Sequence, residues 1–218
     1  MRAAAVAARL ALLLPTLLIV PAASKYVSGL GLDSVFPVPV YITMNVPQAP
    51  ESYRAAAHIL ERTPDVDGRT ALAGAEAMFV SGAALHAVDE VARAGLAKAP
   101  ADIRGWLLLA EIRRSDAPAD AARMLEVALL LGPSDYWVAG KRARLAAALW
   151  DRLSEEARML ALRQVRLLWA VPTLRRDLVT LLSSEAGAHL VSEAFREMPD
   201  DLRALNRWVA AERRKSRS

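Results

Sequence analysis

"GWLLLAEIRRSDAPADAARMLEVALLLGP", residues 105–133, decides the fold. Two apolar runs flank a short Ser-Asp-Ala-Pro break, and Gly132-Pro133 closes the second run. Apolar and small residues recur in both at three- and four-residue steps, the spacing of a buried helix face. Pro118 falls near a first helical position, where a missing N–H is harmless, and Gly-Pro stops the helix before it. A break this short makes the two helices run antiparallel and side by side. The stretch therefore reads as one helical hairpin.

The same signals extend outward in both directions. The chain has 218 residues, 54% of them hydrophobic. Ala and Leu supply much of that, while Val and Ile are thinly spread, which favours helices over strands. The length suits one domain plus a leader. From residue 51 onward the expected helices are 51–62, 69–81, 84–98, 102–114, 118–131, 135–150, 155–169, 173–182, 185–197 and 200–213. Ser154 before Glu155-Glu156 has the character of an N-cap followed by acid in the first turn. The expected class is all-α: antiparallel helix pairs stacked as a short solenoid over residues 51–172, with a helical cap at 173–213 and a basic tail at 214–218.

Within the opening hairpin, Trp106, Leu109 and Ala110 stand at large, large and small positions of the first helix, and Ala121, Leu125 and Ala128 at small, large and small positions of the second; Pro133 follows. This resembles a tetratricopeptide repeat, a helix pair of about 34 residues with markers W-x2-L-G-x2-Y, A-x3-F and P. The departures are Arg113 at the usual aromatic position and a spacing one residue short. The preceding pair follows the scheme through Ala87, Val91, Ala94 and Pro100, and the next, ending at Pro172, matches loosely. The resemblance implies that small residues let two backbones approach beside Trp106, and that the last repeat needs a cap over its open apolar face. A generic helical bundle is the competing reading.

Residues 1–24, "MRAAAVAARLALLLPTLLIVPAAS", carry two positive charges, an apolar run from Leu10 to Val20, and small residues after it. That is the pattern of a secretory leader, and its uncleaved form is a short N-terminal hydrophobic membrane anchor. The positive start holds that end in the cytoplasm and sends the remainder outward. A buried core helix is the third reading of this segment. Residues 25–50 contain Gly29, Gly31, Pro37, Pro39, Pro47 and Pro50 and form a linker rather than a long helix. The chain has no cysteine, which is compatible with the periplasm without requiring it.

The net charge of +4 lies mostly at the two ends: between residues 10 and 211 there are 22 basic and 23 acidic side chains. Nucleic acid, which needs a net positive surface, is not expected as a partner. His58, His86 and His189 are far apart and lack partners at helical spacing, so no metal site is expected. No glycine-rich phosphate loop or G-x-S-x-G motif is present, and the acid pairs Asp89-Glu90, Glu155-Glu156 and Asp200-Asp201 suit helix ends or solvated faces. The expectation is a chain without catalytic residues and without cofactors.

What remains is binding. The resemblance implies that first helices line a concave groove, which places Arg104, Leu107, Glu111 and Arg114, then Trp137 and Arg144, toward a partner. Arginine forks with an aromatic suit a carboxylate-bearing peptide or an acidic glycan. Charge is also uneven: residues 51–140 hold 9 basic and 13 acidic side chains, and 141–176 hold 9 and 3. This defines a basic zone around Lys141, Arg142 and Arg144, suited to lipid headgroups, an acidic polymer or an acidic protein patch. In general layout the chain is similar to small membrane-linked tetratricopeptide accessory proteins of bacterial envelope polysaccharide assembly. That implies a noncatalytic protein-interaction scaffold at the inner membrane, facing the periplasm, with a role in exopolysaccharide or O-antigen assembly. The alternative is a periplasmic glycan-binding or glycan-active helical domain.

Overall fold

In the computed structural model the described residues are 53–54 and 66–215. Among them are nine α-helices and no strand: α1 Gly68–Val80, α2 Leu85–Lys98, α3 Ile103–Arg113, α4 Pro118–Leu131, α5 Ala139–Leu149, α6 Glu155–Ala170, α7 Arg175–Leu181, α8 Glu185–Ala194 and α9 Pro199–Lys215. Tyr53 and Arg54 are helical, and Tyr53 is buried. The rest of the expected 51–62 helix, the hydrophobic segment 1–24 and the linker 25–50 lie outside the described residues. No described helix is long and apolar enough to cross a membrane.

Side-chain caps explain most of the starts. Asp67 Oδ1 accepts from the N–H of Arg69 and of Thr70, at 2.9 and 3.1 Å, and Asp102 Oδ1 serves Arg104 and Gly105 at the head of α3 in the same way. Ser154 caps α6 through Ala157 N, and Ser184 caps α8 through Gly187 N. Each accepts from first-turn donors that have no partner inside the helix. Pro118 opens α4 without a side-chain cap. The turn after α1 passes through Gly82 at φ 82, a left-handed conformation that glycine adopts without strain.

From α1 to α7 consecutive helices pack against each other as antiparallel neighbours. Gly68 at the head of α1 lies against Ala99 at the foot of α2, and Arg113 at the end of α3 forks onto Asp89 near the start of α2, at 2.9 and 3.0 Å. Contacts also join α1 to α3, α3 to α5 and α5 to α7, so each odd-numbered helix touches the next. The apolar interior forms a small cluster under α1–α3 and a larger one from α3 to α9, and Trp106 and Met124 pack against both. Leu109, Ala110, Ala121, Leu125 and Ala128 are buried as the hairpin pattern requires. Trp106 is half-buried, and its Nε1 donates to Pro100 O at 2.8 Å, fixing the α2–α3 turn. At the far end α8 lies on α5 and α6, and α9 follows, with Trp208 edge-on to Trp169 at 6.4 Å.

Four boundaries differ from expectation. The 135–150 segment divides into a 3-10 turn Tyr136–Val138, helix α5 and a second 3-10 turn Trp150–Arg152, and Pro172–Leu174 forms a third before α7. Asp135 caps the first of these turns by accepting from Trp137 N, while Arg142 binds Asp135 O. The helix expected to reach residue 197 stops at Ala194, where buried Phe195 leaves the helical path. The last helix runs on to Lys215, so Arg214 and Lys215 belong to it rather than to a tail. On α2 the core positions are Val88, Ala92, Gly95 and Leu96 rather than Ala87, Val91 and Ala94. Gly95 faces Leu72 and the carbonyl of Gly68, and this close approach to α1 sets the rotation of α2.

Candidate functional site

The turns α2–α3 and α4–α5 lie on the same edge of the array as the head of α1, because the hairpins alternate in direction. A cleft of about 560 Å³ opens there, lined by Arg69 of α1, Lys98 and Pro100, Asp102 to Arg104, and Asp135, Trp137 and Val138. Its charged lining is Arg69, Lys98 and Arg104 against Asp102 and Asp135. Both carboxylates already accept backbone N–H groups as caps. Lys98 Nζ donates to Val66 O at 2.9 Å, and Arg104 Nε lies 3.8 Å from Asp102. At the mouth Trp137 is 47% exposed, with the ring of Tyr136, 40% exposed, 4.6 Å away and tilted by 36°.

Of the residues expected to line a groove, Arg104 and Trp137 meet in this cleft. The others do not join them. Leu107 is fully buried in the core and cannot face a partner. Arg104 and Leu107 lie one turn apart on the same side of α3, but α3 packs on both α2 and α4, so its first turn reaches the cleft edge while the next is enclosed. Glu111 and Arg114 pair with each other at 3.3 Å, toward the opposite edge. Arg144 pairs with Asp177 of α7 at 3.7 Å. Burial pushes the Asp177 carboxyl above its ordinary pKa, and the Arg144 charge offsets part of that.

The basic zone is largely internal wiring. Lys141 reaches Glu76 on α1 at 3.5 Å. Arg142 is fully buried: Nη2 donates to Ala128 O at 2.7 Å, and Nη1 to Gln164 Oε1 at 3.3 Å and Asp135 O at 3.4 Å. Burial lowers its pKa, opposed by the charge of Asp135. Gln164 in turn donates to Pro133 O at 2.9 Å, so the pair clamps the turn beneath the cleft. Arg158 and Arg175 each lie over a tryptophan, Trp150 and Trp169, and donate to that residue's carbonyl. Arg142 therefore presents no charge to solvent, contrary to its reading as part of a surface patch.

Arg69 and Lys98 were not legible as site residues. They lie 29 positions apart on different helices, and only the antiparallel packing of α1 and α2 brings them to one cleft. The only sequence signal was their place at helix ends next to Asp67 and Pro100. His86 and His189 are both exposed and on different helices, and His58 lies outside the described residues. A second, shallower hollow of about 410 Å³ lies between Leu182 and α9, lined by Asn206, Arg213 and Arg214. No family model, curated protein or solved structure matches this chain.

Proposed function

We propose that the protein is a noncatalytic interaction scaffold. In this reading its helix pairs form a short tetratricopeptide-like solenoid, held at a bacterial inner membrane by the N-terminal hydrophobic segment with the helical body in the periplasm. It docks an anionic group at the Trp137 cleft and presents its remaining surface to a protein of exopolysaccharide or O-antigen assembly. The observation that carries the reading is the composition of the cleft. Its carboxylates are engaged as helix caps, its cations outnumber them, and an exposed indole stands at its mouth. Such a site binds anions by charge-assisted hydrogen bonds and covers their apolar neighbours by stacking.

The test is crosslinking in intact cells with the full chain and with Arg69→Glu/Arg104→Glu/Trp137→Ala, after thermal melts have shown that both fold. The variant is expected to lose most of the captured species. Identical capture by both chains would sink the reading. The exposed Tyr136–Trp137 pair also favours a second reading, a glycan-binding face, because two tilted rings can pack on sugar rings. Titration with acidic oligosaccharides, read by Trp137 fluorescence against Trp137→Phe, separates the two.

A further inference from the structure

The cleft is one part of a longer exposed edge. Leu130 and Leu131 end α4 at 57% and 43% exposure, immediately before the turn that carries Tyr136 and Trp137. The next residue, Gly132, lies against Ile103 and Asp135, and both of those line the cleft. Two leucines, a tyrosine and a tryptophan thus stand out from a turn-built edge next to Arg69, Lys98 and Arg104. Trp137 lines the cleft, whereas Leu130, Leu131 and Tyr136 are exposed outside it. Indole and phenol rings are the side chains that settle at a bilayer interface, and cations beside them meet lipid phosphates.

Two further observations give this edge a direction. On the opposite edge, the α3–α4 and α5–α6 turns expose Asp116, Asp151, Glu155 and Glu156 against Arg114 and Arg152. Farther along the Trp137 edge, exposed Asp200 and Asp201 flank Trp169, so the cationic, apolar part ends before the cap.

We propose that the edge formed by Leu130, Leu131, Tyr136 and Trp137, with the cleft cations beside them, is a docking face for an anionic phospholipid bilayer. The proposal rests on the anion-binding reading of the cleft and names its occupant. The leucines and rings enter the headgroup layer, Arg69, Lys98 and Arg104 bind phosphate, and the acidic edge is turned away from the membrane. Each cleft charge strengthens docking about fivefold on anionic lipid.

The absence of native cysteine allows a clean test. Full-length chains carrying Leu131→Cys or Asp116→Cys are labelled with nitrobenzoxadiazole and mixed with vesicles of phosphatidylcholine, with or without phosphatidylglycerol. The probe at 131 is expected to shift to the blue and to be quenched by lipid-borne nitroxide in the anionic vesicles only. The probe at 116 is expected to stay in water, and Arg69→Glu/Arg104→Glu is expected to abolish immersion at 131. A probe at 131 that stays wet on anionic vesicles, or equal immersion at 116, overturns the proposal. So does a soluble polyglutamate peptide that shifts the 131 probe when vesicles do not, and that result leaves the anion-binding reading standing. Flotation on neutral vesicles reports the N-terminal anchor separately, so its failure cannot be mistaken for failure of the face.

Discussion

Arginine is the residue that gives this fold much of its definition. Arg142, Arg158, Arg166, Arg175 and Arg213 each donate to a main-chain carbonyl, those of Ala128, Trp150, Ala194, Trp169 and Leu182. All five carbonyls belong to the last turns or caps of helices, which carry the negative end of the dipole, and Trp150 O also accepts from Leu153 N. Arg142 is the extreme case, with no water to replace its contacts. Arg142→Ala is expected to lower unfolding free energy by about 3 kcal/mol, read from urea melts, because it strands Ala128 O and Gln164 Oε1 in the interior. Arg158→Ala, on the half-buried side of Trp150, is expected to cost about 1 kcal/mol. Asp177 gives the pH dependence. Its folded pKa lies above the ordinary 3.8, so the folded chain holds the proton more tightly than the unfolded one. Stability therefore falls as pH rises from near 3.8 through the folded pKa, and the deficit persists above it. Asp177→Asn is expected to flatten that part of the stability–pH curve and to raise the melting temperature at neutral pH; an unchanged slope would contradict this account.

Among the helices, spacing depends on glycines that are not interchangeable. A Cβ on Gly105 of α3 would meet side-chain atoms of the buried Leu72 and Leu96, which must shift to admit it. A Cβ on Gly68 of α1 would meet the carbonyl of Gly95 and the backbone of Ala99, which cannot shift. Alanine favours a helix interior over glycine by up to about 1 kcal/mol, and overpacking costs about 1 to 3 kcal/mol. Both changes are therefore expected to destabilise, Gly68→Ala more than Gly105→Ala, a contrast that paired thermal melts resolve. The same close approach explains why the core face of α2 lies one residue from the position suggested by Ala87, Val91 and Ala94. Small residues abound on every face of α2, so composition alone does not set its rotation, whereas contact with Leu72 and Gly68 does.

For the molecule as a whole, each hairpin is covered by its neighbours, and the last is covered by α8 and α9. Leu205 and Val209 are the buried residues of α9, and Trp208 packs on Trp169. Deleting residues 199–218 is expected to expose Trp169 and the face of α7, and to shift the chain toward larger species in size-exclusion chromatography. A shortened chain without that shift and with an unchanged melt would show that α9 is dispensable as a cap. The charge distribution follows the same architecture. The excess of arginine in residues 141–176 looks like a patch along the sequence, but the folded chain directs Lys141, Arg142, Arg144, Arg158, Arg166 and Arg175 into contacts between helices.

The helices and the hairpin of residues 105–133 were legible in the sequence because their causes are local: a cap at Ser154, Pro118 at a first turn, Gly132-Pro133 as a stop, and apolar spacing on one face. The places of Arg104 and Trp137 at the starts of their segments were legible too, but their meeting in one cleft was not. The burial of Leu107 and Arg142, and the meeting of Arg69 with Lys98, were decided only by tertiary packing. Those outcomes depend on how far each helix rotates against its neighbours, which is set by contacts such as Gly95 on Leu72 between residues distant in the chain. Local periodicity fixes which side chains share a face, but only packing determines whether that face meets another helix or water.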